Sequence, residues 1–78
     1  MTEFRCSYYI EVEEIRPLGE YRFAAKAVFD NHCRSKKWPI PLPTREYWGK
    51  TKDEARNKVR HAVSEWANKC SVVVTEFP

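Results

Sequence analysis

The chain has 78 residues, 42% of them hydrophobic, with 14 basic and 11 acidic side chains and a net charge of +3. That length supports one small domain, residues 1–78, with a single core. No apolar run approaches the ~20 residues that span a bilayer, and the N-terminus lacks the apolar core of a signal peptide, so the sequence predicts a soluble, cytoplasmic protein with no membrane partner.

Charge is unevenly spread. Residues 1–33 carry four basic and six acidic side chains, whereas residues 34–69 carry ten basic and four acidic. The second half therefore holds a basic patch, which falls short of making this a basic protein. The cysteines, Cys6, Cys33 and Cys70, form an odd and widely spaced set. That pattern predicts free thiols in a reducing compartment rather than a disulfide framework.

From Phe4 to Val12 the even positions are Phe4, Cys6, Tyr8, Ile10 and Val12, and the odd positions are mostly polar. This alternation predicts a half-buried strand. A second strand begins at Tyr21, with Tyr21, Phe23, Ala25, Ala27 and Phe29 on one face. Residues opposed across a hairpin share a face, so even positions of the first strand must face odd positions of the second. A four-residue loop, Arg16 to Gly19, satisfies this parity and opposes Glu13 to Arg22, Arg5 to Asp30, Val12 to Phe23 and Cys6 to Phe29. A two-residue Leu18-Gly19 turn has the same parity but lacks an Asn-Gly or Asp-Gly pair, and the longer loop is favoured.

The basic segment 34–43 contains Pro39, Pro41 and Pro43. These fix φ and remove amide donors, so an extended loop is expected. Thr44 to Trp48 predicts a short third strand, and Gly49-Lys50 a turn. Thr51 is the expected N-cap of a helix from about Lys52 to Asn68, with Glu54 completing a capping box. Ala55, Val59, Ala62, Val63, Trp66 and Cys70 form its apolar stripe. Ser71 to Phe77 predicts a last strand. Its uninterrupted Val72-Val73-Val74 suits a strand buried on both faces or an inner parallel strand, and the intervening helix favours parallel pairing through a right-handed crossover. The predicted class is α+β in the order β-β-β-α-β: an antiparallel hairpin, a short third strand, one helix packed on the sheet and a final strand.

This order, together with Gly49, Thr51, Glu54 and Ala55 at the entry to the helix, resembles the N-terminal domain of HicB-type antitoxins. The resemblance covers the layout of most of the chain, although the family's Pro-Asp-x-Pro-Gly signature has no counterpart before the third strand. It implies a partial ribonuclease-H-like fold without a working nuclease site, and an inhibitory partnership with a small RNA-cleaving toxin.

The residues themselves predict no enzyme. Glu11 and Glu13 lie on the polar face of the first strand, with Arg22 and Lys26 expected opposite, and no further carboxylates converge there to hold a divalent metal. No Cys-x-x-Cys or His-x3-His spacing is present. No metal or cofactor is expected. A protein-binding module is favoured, its partner another protein or a second copy in a homodimer. Its expected contacts are Trp38, Ile40 and Leu42 on the proline loop and Tyr9 and Val28 on the sheet. A second reading is a nucleic-acid-binding module using Lys36, Lys37, Lys50, Lys52, Arg56 and Arg60 to track phosphates. A third is a phage or mobile-element inhibitor of host nucleic-acid machinery, a class that includes anti-CRISPR proteins.

Overall fold

The computed structural model describes residues 4–77. Strand β1 spans Phe4–Leu18 and β2 spans Tyr21–Phe29. A single helical turn, α1, covers Asn31–Arg34. Strand β3 is Tyr47–Gly49, helix α2 is Lys52–Cys70 and strand β4 is Val72–Phe77. The sheet runs β3-β2-β1-β4. Its first three strands are antiparallel neighbours, while β4 returns parallel to β1. The α+β class, the element order and the parallel return agree with the sequence.

The hairpin has the expected parity and a different register. Tyr8 pairs with Phe29, Val12 with Ala25 and Glu14 with Phe23, two residues along from the expected pairs. Glu13 therefore faces Ala24 rather than Arg22, while Glu11 faces Lys26. The turn is Gly19-Glu20, since Leu18 pairs with Tyr21. Gly19 has φ 61°, which suits a II′-type turn with glycine in its first central position. An irregularity between Glu14 and Leu18 takes up the remaining β1 residues, as a bulge does.

Helix α2 starts where its cap requires. The Thr51 Oγ1 accepts from the Glu54 N–H at 3.1 Å. The Glu54 carboxylate reaches back to the Lys50 N–H at 3.3 Å, one residue before the position of a standard capping box. Gly49 packs so tightly under this turn that a Cβ there would lie 2.5 Å from the Ala55 nitrogen. At the other end Ser71 takes a left-handed conformation, φ 55° and ψ 49°, which turns the chain into β4. The helix lays Ala55, Val59, Val63, Trp66 and Ala67 against Cys6, Tyr8, Ala25, Ala27 and Phe29 of the sheet. Alanines on both elements allow close approach, and burial of this stripe is what holds the helix in place.

Strand β4 corrects the expectation drawn from its valine run. Val72 is buried but Val73 is 40% exposed, because β4 is an edge strand covered on one face only. Helix α1 is also absent from the sequence reading. Asp30 ends β2 and caps α1: one carboxylate oxygen accepts from the Cys33 N–H at 2.7 Å and the other from the Ser7 N–H at 3.0 Å. These backbone donors hold its carboxyl below the usual range. Asp30 is thus bound to Ser7, not opposed to Arg5.

The turn of α1 swings Cys33 over β1, where it is disulfide-bonded to Cys6 with Cα atoms 5.5 Å apart. The expectation of three free thiols is corrected: Cys70 alone is free. Odd spacing along the chain carried no information about this pair, because a turn that lacks hydrophobic periodicity sets their proximity. A sequence separation of 27 makes the cross-link worth roughly 3–4 kcal/mol by chain entropy. Urea unfolding of the Cys6→Ala/Cys33→Ala variant is expected to show a loss of that order. Added reductant should lower the midpoint of the native protein and leave the variant unchanged.

Candidate protein-binding surface

The inner face of the sheet is occupied by α2, and no other described element covers the outer face. Odd residues of β1 point outward, and the registers place their neighbours. Tyr9 pairs with Val28 on β2 and with Phe77 on β4. One row across three adjacent strands is therefore Val28, Tyr9 and Phe77. Tyr9 is 46% and Phe77 55% exposed. A hollow of about 130 Å³ lies among these residues, lined also by Ser7, Tyr8, Phe29 and Asp30. Val73, beside Arg5, is a further exposed apolar residue on β4, with Thr75 between it and Phe77. Further along the sheet Ala24 pairs with Trp48, whose ring lies 6.2 Å from that of Tyr21. Between the two aromatic regions lie Glu11, Glu13, Lys26 and Glu46, which line one small concavity.

Of the expected protein contacts, Tyr9 and Val28 thus share this surface. The proline-loop residues lie elsewhere. Trp38 is half-buried: its indole N–H donates to the Cys33 carbonyl at 2.9 Å, and its ring packs edge-on against Phe4 and Trp66 at 4.9 and 5.0 Å. It closes the end of the core. Leu42 packs on the core beside it. Ile40 is exposed, and its carbonyl accepts from the Trp66 indole N–H at 3.0 Å. The loop is therefore a lid held by two tryptophan hydrogen bonds.

The basic residues are dispersed and mostly engaged. Lys36 sits over the Phe4 ring at 4.1 Å, with Lys37 exposed beside it. At the β3 end, Lys50 pairs with Glu20 at 2.9 Å and Lys52 lies over Phe23. Arg56 pairs with Asp53 at 3.6 Å. Arg60 makes a two-pronged contact with Glu76, its Nε and Nη2 donating at 2.7 and 3.0 Å. An open trough of about 840 Å³ flanks α2 between Tyr47 and Ala62; Lys58 and Glu54 on its walls are ion-paired, and His61 Nε2 lies 3.2 Å from the Glu65 carboxylate. Among the described residues no group of three or more His, Cys, Asp or Glu is placed to hold a metal.

No family model, curated protein or solved structure matches this chain.

Sequence reasoning missed Phe77 and Val73 as members of the outer face, although alternation from Val72 would have placed both there. It also missed Glu76. This residue binds Arg60 and accepts from the Tyr8 hydroxyl at 3.3 Å, tying β4, β1 and α2 together. The Arg60 hydrogen bonds hold the Glu76 carboxyl below its usual range. Burial, followed by the Glu76 charge, pushes Tyr8 up to about 12.

The two shifts act at opposite ends of the pH scale. Glu76 has a depressed folded value, so its contribution is present above the ordinary carboxylate range and is lost as pH falls through the folded value. Tyr8 holds its proton more tightly when folded, so stability falls as pH rises from about 10 towards about 12. In urea titrations across pH, Glu76→Gln is expected to flatten the acid decline and Tyr8→Phe the alkaline one. Unchanged slopes in both variants would remove this triad as a stabilising unit.

Proposed function

We propose that this protein is a non-enzymatic binding module that engages another protein through the outer face of its sheet. The supporting observation is the Val28–Tyr9–Phe77 row, an apolar strip across three neighbouring strands with no covering element among the described residues. Contiguous exposed apolar surface rimmed by charge is characteristic of interaction sites. Aromatic side chains on rigid strands make effective anchors because little entropy is lost when they are covered. Lys26, Glu11 and Glu13 beside the strip would select a partner by charge.

An inhibitory, antitoxin-like role belongs to the same proposal. It draws support from the strand order and the parallel β4, which suit the partial ribonuclease-H-like plan implied by the HicB resemblance. The nucleic-acid reading draws less support, because Lys50, Lys52, Arg56 and Arg60 are engaged by Glu20, Phe23, Asp53 and Glu76. The Cys6–Cys33 bond removes the cysteine-based reason for a cytoplasmic location and favours oxidising surroundings.

Capture from an extract of the source organism tests the surface. Wild-type protein is expected to retain a specific partner, and Tyr9→Glu/Phe77→Glu to lose it with an unchanged thermal melt. Equal retention by the double variant overturns the assignment.

A further inference from the structure

Strand β1 is fifteen residues long, but β4 accompanies it only from Phe4 to Tyr9. Beyond Tyr9 the β2 side of β1 remains paired, through Ile10–Ala27, Glu11–Lys26, Val12–Ala25, Glu13–Ala24 and Glu14–Phe23. The other side carries no strand among the described residues. The regular ladder ends at the irregularity after Glu14. Ile10–Glu14 is therefore a regularly paired length of strand whose other edge, starting where β4 ends, is open among the described residues. Unpaired N–H and C=O groups along such an edge are a template for an added strand.

The side chains define the occupant. Glu11 and Glu13 point to the outer face, and neither has an ion-pair partner among the described residues. Glu46 lines the same concavity with them, against the single cation Lys26. Ile10 and Val12 point to the inner face and are half-buried against the core. A second copy is a poor match: any antiparallel self-pairing that keeps the faces aligned brings Glu11 and Glu13 of one chain beside those of the other, and like charges across a ladder are destabilising. The same glutamates reject self and accept a strand of opposite charge.

We propose that the open edge of Ile10–Glu14 takes an extended segment of another protein in which basic residues alternate with apolar ones. The basic side chains lie on the outer face beside Glu11 and Glu13, and the apolar ones lie beside Ile10 and Val12. The site continues the sheet past the end of β4. It shares Glu11 and Glu13 with the charged rim of the Val28–Tyr9–Phe77 strip, but it uses the edge of β1 rather than the apolar face of the strip.

The test uses a fluorescein-labelled synthetic peptide alternating lysine and valine, followed by anisotropy and by hydrogen exchange of the full chain. Binding is expected, with added protection of amides within Ile10–Glu14. N-methylation of alternate peptide nitrogens should weaken it about tenfold or more, because the backbone donors carry the recognition. Glu11→Lys/Glu13→Lys should weaken it by a similar factor. The proposal is overturned if no binding occurs, if the N-methylated peptide or a glutamate–valine analogue binds equally well, or if protection appears elsewhere. Concentration-dependent dimerisation that protects the same amides without peptide would also overturn it, in favour of self-pairing.

Discussion

A single helix covers the inner face of this sheet, and it is shorter than the strand it must cover. The nineteen residues of α2 rise about 28 Å at 1.5 Å each, while the fifteen residues of β1 extend about 50 Å at 3.3 Å each. Helix and crossover geometry also fix both ends of α2, at the Gly49 turn and at the start of β4. The buried residues consequently gather toward the Phe4–Tyr8 half of β1, and the hairpin tip projects without cover. The overall extents of 46 × 19 × 18 Å reflect this imbalance. Leu18 and Tyr21 are exposed at the tip, where no second helix among the described residues reaches them.

The covered half compensates for its small size by cross-bracing. Asp30 binds backbone donors of both β1 and α1, the Cys6–Cys33 bond lies beside it, and Trp38 and Trp66 each fasten the proline segment by an indole hydrogen bond. Arg60, Glu76 and Tyr8 join helix to edge and central strands. The bonds of Asp30 to Ser7, Cys6 to Cys33, Trp66 to Ile40, and Glu76 to Arg60 and Tyr8 link segments far apart in sequence. The aromatic ends of Phe4, Trp38 and Trp66 close what would otherwise be an open end of the core.

Much of this architecture was legible in the residues. Alternation from Phe4 to Val12 placed Tyr9 on the outer face, and the Thr51–Glu54 cap located the helix start. The length of the β-α-β step implied the parallel return of β4. Register was less legible because parity allows shifts of two, and Gly19 fits either end of several turns. The disulfide was hidden because α1 is too short to show periodicity. Trp38 was ambiguous in a basic loop, since the carbonyl that satisfies its N–H belongs to a residue whose position depends on α1. On β4, a run of three valines masked the alternation that exposes Val73 and Phe77. That no strand among the described residues accompanies β1 beyond Tyr9 on the β4 side depends on where pairing stops rather than on any residue pattern.

The Cys6–Cys33 bond has a topological consequence. It closes a covalent ring that contains the whole hairpin, including the exposed Gly19-Glu20 tip. A protease that cuts at that tip, the segment least protected by packing, opens the ring without separating the pieces. The N-terminal fragment stays joined to the rest of the chain, still seated between β2 and β4. Nicked protein would run as two bands only after reduction, and its projecting arm would become two free strand ends on an intact core.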